Sequence, residues 1–221
     1  MCRYGQKLLL PLLLIIVNGA WADEPSLLVG LDIQADQMKL RYPQEVRETR
    51  LSSFVLFWDQ PLNSWLDGNI TLGVLDISQS GNPIPAGQAM AGNSLGLGLH
   101  FHLYATEHLR LHADMHYQYT EATSDLQSQN INIRWHQISG QLQADIRLFQ
   151  YSSLYLAVGS IAIDGEERAT GTINTVLPFN SNSPAYARLG AKIGVDPTGH
   201  IGIEVTAGSM VGGRIYFQRW F

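Results

Sequence analysis

Apolar and polar residues alternate with period two along most of this chain. Leu95, Leu97, Leu99, Phe101 and Leu103 interleave with Gly96, Gly98, His100, His102 and Tyr104, and Leu109, Leu111, Ala113, Met115, Tyr117 and Tyr119 with Arg110, His112, Asp114, His116 and Gln118. The pattern returns in Ala187, Leu189, Ala191, Ile193 and Val195 against Arg188, Gly190, Lys192 and Gly194, and in Ile201, Ile203, Val205 and Ala207 against Gly202, Glu204, Thr206 and Gly208. Successive side chains of a β-strand point to opposite faces, so each segment predicts a strand with one apolar and one polar face. Ten segments of this kind lie at about 26–40, 50–58, 68–77, 94–104, 109–120, 131–148, 153–163, 185–195, 200–209 and 213–221.

The two faces suggest which solvent each one meets. In a soluble sandwich the outer face is rich in lysine and glutamate, whereas here only 15% of residues are charged and the polar face is Gly, His, Gln and Arg. That composition predicts an all-β fold, an antiparallel up-and-down transmembrane barrel with an apolar band outside and a polar lumen. Ten strands are expected, and eight result if residues 50–77 pair less regularly. Connections alternate in length. Residues 59–67, 105–108, 149–152 and 196–199 form turns on one side, while 78–93 and 164–184, rich in Gly, Asn, Ser and Pro, form longer loops on the other. Residues 210–212 break the rule, being short where a long loop belongs. In strand six the apolar parity moves from Ile131, Ile133 and Trp135 to Ile138, Leu142, Ala144, Ile146 and Leu148, which implies either a bulge near His136 and Gln137 or a strand that protrudes beyond the membrane.

Aromatic residues divide between the two ends. Trp58, Trp65, Phe149, Tyr151, Trp220 and Phe221 fall at the short-turn side, and Tyr117, Tyr119, Trp135 and Tyr186 at the long-loop side, as two interfacial girdles would. The opening residues carry Arg3 and Lys7, an apolar run from Leu8 to Val17 and the small-x-small triplet Ala20, Trp21, Ala22, the three parts of a secretory signal peptide spanning 1–22. One domain, 23–221, follows. Its single candidate cysteine is lost with the leader, because Cys2 precedes the apolar run, so no disulfide framework is available. Without Arg3 and Lys7 the 14 basic residues fall by two against 19 acidic ones, a net charge of −7 that excludes a nucleic-acid face.

The leader, the alternating strands and the closing Ile215, Phe217 and Phe221 on one face resemble the small Gram-negative outer-membrane β-barrel proteins. This broad class includes the OmpA transmembrane domain, OmpX, OmpW and the neisserial opacity proteins. The resemblance is architectural and brings no functional residues with it. It implies a cell outer-membrane location among outer-membrane lipids and lipopolysaccharide, and a terminal aromatic strand read by the barrel assembly machinery. Arg219 departs from that signal, since the third residue from the end is usually apolar or aromatic. A monomer is expected.

Candidate chemistry is confined to the lumen. His100, His102, Arg110, His112, Asp114 and His116 share one face of adjoining strands, with His136, Arg188, Lys192, Glu204 and Arg214 on others. Hairpin pairing sets His102 opposite Arg110 or His112, and His100 opposite His112 or Asp114. Imidazoles beside a carboxylate suit a metal or an acid/base pair. They equally suit a network of hydrogen bonds and ion pairs filling a narrow barrel, and the unspecific spacing favours the network, with no cofactor or metal. The serine candidates Ser94, Ser139 and Ser160 have no histidine partner on the same face that the sequence shows, and the loop acids Asp125, Asp164, Glu166 and Glu167 read as ordinary solvated positions. The expected function is therefore non-enzymatic, structural or presenting loops 78–93 and 164–184 to an extracellular ligand. A narrow pore, with space left by Gly96, Gly98, Gly190, Gly194, Gly202 and Gly208, is the alternative, and a lipid-modifying enzyme the third reading.

Overall fold

The protein was studied as a computed structural model, which describes residues 27–80, 89–126, 129–149 and 151–221. The predicted leader and the middle of loop 78–93 lie outside the described residues. The strands are β1 (Leu28–Arg41), β2 (Val46–Asn63), β3 (Leu66–Ser80), β4 (Ala89–Ala105), β5 (Leu109–Leu126), β6 (Gln129–Phe149), β7 (Ser152–Gly171), β8 (Thr175–Ser181), β9 (Ala185–Gly194), β10 (Gly199–Gly208) and β11 (Met210–Trp220). All pair antiparallel, and β11 returns to β1 in the register Leu28↔Trp220 to Met38↔Met210, closing a ring of β1 to β7 with β9 to β11. Backbone bonds between Leu27 and Phe221, at 2.8 and 3.3 Å, seal the join. Closure leaves no free edge to the ten-stranded ring among the described residues.

The expected ten-stranded ring is present, and the eight-stranded alternative is not, because residues 50–77 pair continuously apart from one irregularity between Pro61 and Asn63. The loop expected at 164–184 is also corrected. It is the upper end of β7 and the whole of β8, a hairpin turned at Gly171, whose φ of 133° a side chain would strain. β8 pairs with β7 from Asp164 to Ala169 and reaches β1 at Leu40 and Arg41. Strand β9 leaves β7 at Ser160, below that point. The wall above β9, β10 and β11 is thus supplied by β8, and this explains the short connection at 210–212: the β10–β11 turn at Ser209 ends beneath β8, donating from its amide to Ala185 O at 2.7 Å.

The barrel has two storeys of opposite polarity. In the lower one, next to the termini and short turns, β1 points Asp32, Gln34 and Asp36 inward and Leu31, Ile33 and Ala35 outward; higher up it points Met38 and Leu40 inward and Gln37, Lys39 and Arg41 outward. Strand β6 does the same, with Gln137, Ser139 and Gln141 inside below, and Trp135, Ile133 and Ile131 inside above. Its pairing to β5 and β7 runs unbroken through His136 and Gln137, so the expected bulge is absent. The parity shift arises because the apolar side changes while the alternation continues. A β-strand crosses a bilayer in about 9–11 residues. β6 has 21, and the excess stands clear of the apolar belt.

Inside the upper storey Met38, Leu40, Leu75, Ile77, Met90, Ile131, Ile133, Trp135, Ile161, Ile163 and Phe179 form one buried core. Full burial of such side chains contributes about 1.5–3 kcal/mol each. Below it the exterior exposes Ile33, Leu97, Ile138, Leu142, Leu156, Val158, Leu189, Ile203 and Ile215, a continuous apolar band. A patch this extensive is unstable against water.

Candidate functional site

Below the core the lumen is a cavity of about 790 Å³. It runs from the short-turn residues Ser64, Glu107 and His108 to the underside of the core at Leu75, Trp135 and Met210. Beyond the core the distal end is sealed a second time. Arg47 Nη1 pairs with Glu167 at 2.8 Å, both almost fully buried, and Tyr42 donates to Glu167 at 3.1 Å. Arg47 also lies over the Tyr42 ring, 4.0 Å from its centroid, and pairs with Glu45 at 2.6 Å. Burial, and then the Glu167 charge, push the Tyr42 hydroxyl well above the usual tyrosine range. Among the described residues, the core and this pair close the cavity at its distal end.

Two polar groups line it. The first belongs to β1 and β9 to β11, where alternating charges meet across the wall: Arg188 Nε is 3.5 Å from Glu204, and Arg214 Nε is 3.9 Å from Glu204 and 3.4 Å from Asp32. Tyr155 donates to Glu204 at 2.8 Å. The glycines expected to leave pore space do not leave it here. A Cβ on Gly190 would meet the Tyr155 ring at 2.3 Å and one on Gly202 the Tyr216 ring at 2.0 Å, so the tyrosines already fill those slots. Gly96 likewise receives the His116 ring, whose Nε2 is 3.4 Å from Thr71 Oγ1.

The second group belongs to β3 to β6. The register sets His102 opposite His112 and His100 opposite Asp114, with Leu103 as the extra residue of a bulge in β4. His100 Nδ1 lies 2.5 Å from Asp114 Oδ1, His112 Nδ1 3.2 Å from Asp145, and His102 Nε2 2.9 Å from Asp67. The His100 ring is 4.7 Å from that of His102 and 4.2 Å from that of His112. Lys192 Nζ is 3.3 Å from Asp145, and Gln141 joins the two groups, donating to Asp114 at 2.7 Å while accepting from Arg188 at 3.2 Å.

Two expectations require correction. His136 faces outward on β6, where its Nδ1 meets the Tyr117 hydroxyl at 2.6 Å, so it belongs to the external surface and cannot approach His116 in the lumen. Trp135 and Tyr186 are buried in the distal core, and Trp220 lines the cavity, so none of the three joins a girdle. Arg110 lines the cavity near its mouth, opposite Asp145 in the β5–β6 register. Ile215, Phe217 and Phe221 all face outward as expected. Arg219 lies between them, 3.6 Å from Asp196 in the β9–β10 turn, which gives this departure from an apolar face a local partner. Hydrogen bonds from Thr198 hold the Asp196 carboxyl below the usual range.

Sequence reasoning missed Asp32, Asp67, Asp145 and Gln141. The series Asp32, Gln34, Asp36 and Ser139, Gln141, Gln143, Asp145 carry the same polar alternation as the strands that were read correctly. Asp67 was lost to a turn drawn too long, since β2 and β3 run to within two residues of each other at Ser64 and Trp65.

No protein-family model and no curated protein matches the chain. Among solved structures it is similar to the translocator domain of the autotransporter NalP from Neisseria meningitidis (11% identity, TM-score 0.53, covering 96% of this chain and 94% of that one). It is also similar to the outer membrane protease OmpT from Escherichia coli (8% identity, TM-score 0.54, covering 89% and 97%). At these identities the likeness is one of fold. The chain has the fold of the outer-membrane β-barrels.

Proposed function

We propose that this chain is an integral, non-enzymatic outer-membrane protein that holds a closed, charged platform above the membrane on a ten-stranded barrel. The observation that carries the reading is the change of polarity along β1 and β6. The exposed apolar band needs lipid, and the upper storey, charged outside and apolar inside, needs water. On this reading residues 1–22 direct export, the termini lie in the periplasm, and lipopolysaccharide and phospholipid surround the band. The upper end of β7 and β8 replace the flexible loop expected at 164–184 with a fixed surface for an external ligand.

The non-enzymatic reading is supported by the carboxylates of that platform. Glu166 is held by Arg134 at 2.5 Å and Glu167 by Arg47, so neither stands ready to activate a nucleophile. The apolar core and the Arg47–Glu167 pair count against a pore. In planar bilayers we expect the purified protein to give no channel events over a wide voltage range, whereas Ile133→Gly with Trp135→Gly opens a conductance. Steady conductance by the unaltered protein would overturn the closed platform, and altered lipid A in a strain overproducing it would overturn the non-enzymatic reading. Removal of Phe221, which makes the backbone seal with Leu27, is expected to lower assembly far more than Arg219→Tyr; equal effects would remove Phe221 from the assembly signal.

A further inference from the structure

We propose that His100, His112 and Asp114 form a binding site for a divalent first-row transition ion of the Zn²⁺ type, with its open positions facing the blind cavity. The ligand atoms of these three side chains all lie within 4.8 Å of one another. His100 Nδ1 and His112 Nε2 both face the Asp114 carboxylate, at 2.5 Å from Oδ1 and 4.0 Å from Oδ2. Two imidazoles and one carboxylate suit the borderline transition ions and not Ca²⁺ or Mg²⁺, which prefer all-oxygen shells.

The surroundings separate this group from an ordinary lumen network. A histidine that binds a metal through one nitrogen usually gives the other to a carboxylate, which fixes its ring. His112 has that arrangement, with Nδ1 at Asp145 and Nε2 aimed at Asp114. Gln141 holds the same Asp114 oxygen that His112 faces. The nearby cations Lys192 and Arg188 have carboxylate partners of their own, Asp145 and Glu204. Asp59, Asp67 and Asp114 leave the region negative when the imidazoles are neutral, the state that ligates. Asp67 and His102 form a second group of three with His100, closer to the mouth and more exposed, on the route an entering ion takes.

The test uses the mature chain folded in detergent. Equilibrium dialysis against Zn²⁺ is expected to give one ion per barrel, and the electron paramagnetic resonance spectrum of the Cu²⁺-loaded protein to show coupling to imidazole nitrogen. Neither measurement depends on a variant folding. Asp145→Asn, which removes a partner and no ligand, is expected to weaken Zn²⁺ binding by about 10–100-fold. His112→Gln and Asp114→Asn should weaken it further, while His136→Gln on the outer wall changes nothing. Absence of retained Zn²⁺, a Cu²⁺ spectrum without nitrogen coupling, or binding that survives His112→Gln or falls with His136→Gln would each overturn the site.

Discussion

Strands β1 and β6 run through both storeys of this barrel and follow opposite rules in each. Below, burial selects polar residues for the lumen, and they must be paired because the narrow interior holds them away from bulk water. Above, burial selects Leu, Ile, Met and Trp for the lumen and leaves Lys39, Arg41, Arg134 and Arg168 to solvent. The difference teaches that alternation specifies a strand, while the medium outside decides which of its faces is apolar. It also locates the cavity. A polar lumen floored by an apolar core is a pocket, whereas a lumen polar from end to end would be a channel.

The contrast can be broken at its most expensive point first. Glu167→Ala takes from the buried Arg47 its buried carboxylate partner, and loss of one member of a buried pair costs about 3–5 kcal/mol. Denaturant unfolding in detergent is expected to show that loss, and a cost under about 1 kcal/mol would mean the distal seal is wet. Ile133→Ala removes methyl groups from the distal core and is expected to cost about 2–5 kcal/mol in the same assay.

A third exchange sharpens the comparison by moving polarity across the boundary. Val158→Arg places a charge in the exposed apolar band and is expected to cost about 2–4 kcal/mol in a bilayer. Arg134→Leu, on the outer face of the upper storey, loses only an exposed ion pair to Glu166 and should cost no more than about 1 kcal/mol. Equal costs would place both residues in one medium. The smallest effect is expected at high pH. Tyr42 keeps its proton in the folded protein at pH values where the unfolded chain, with a tyrosine pKa near 10, has lost it. Its contribution is whole below about pH 10 and is lost as pH rises beyond that value. Tyr42→Phe should therefore flatten the alkaline limb of a stability-against-pH curve, and an unchanged limb would assign the loss to other groups.

The ring of ten, the antiparallel order and the β1–β11 join were legible because each rests on period-two alternation, which a single sequence displays directly. Height was not legible. Nothing in the run Ile131, Ile133, Trp135 tells whether its apolar face points to lipid or to a core, and so Trp135 passed for a girdle residue and His136 for a lumen one. Strand β8 was hidden for a different reason. Its Pro178, Asn180 and Ser181 have the composition of a loop, and only its pairing with β7 and β1 makes it a strand. Of the cavity, the histidines and Asp114 were readable from the β4–β5 hairpin. Asp145 and Gln141, which hold them, alternate with Leu142, Ala144 and Ile146 in the same readable way, but only the β5–β6 register places them beside His112 and Asp114.

The two rims of the barrel differ in circumference, since β8 takes the place of β9, β10 and β11 between β7 and β1. Most neighbouring strands in this fold follow each other in sequence and can zip as hairpins with little loop-closure entropy. Strand β1 is different: beyond β2, it needs β11 for the lower rim and β8 for the upper one, both from far along the chain. Such distant pairings are slow to form. Neither rim is a closed ring until β1 has found its distant partner there, so the first strand made is the one whose docking finishes both storeys.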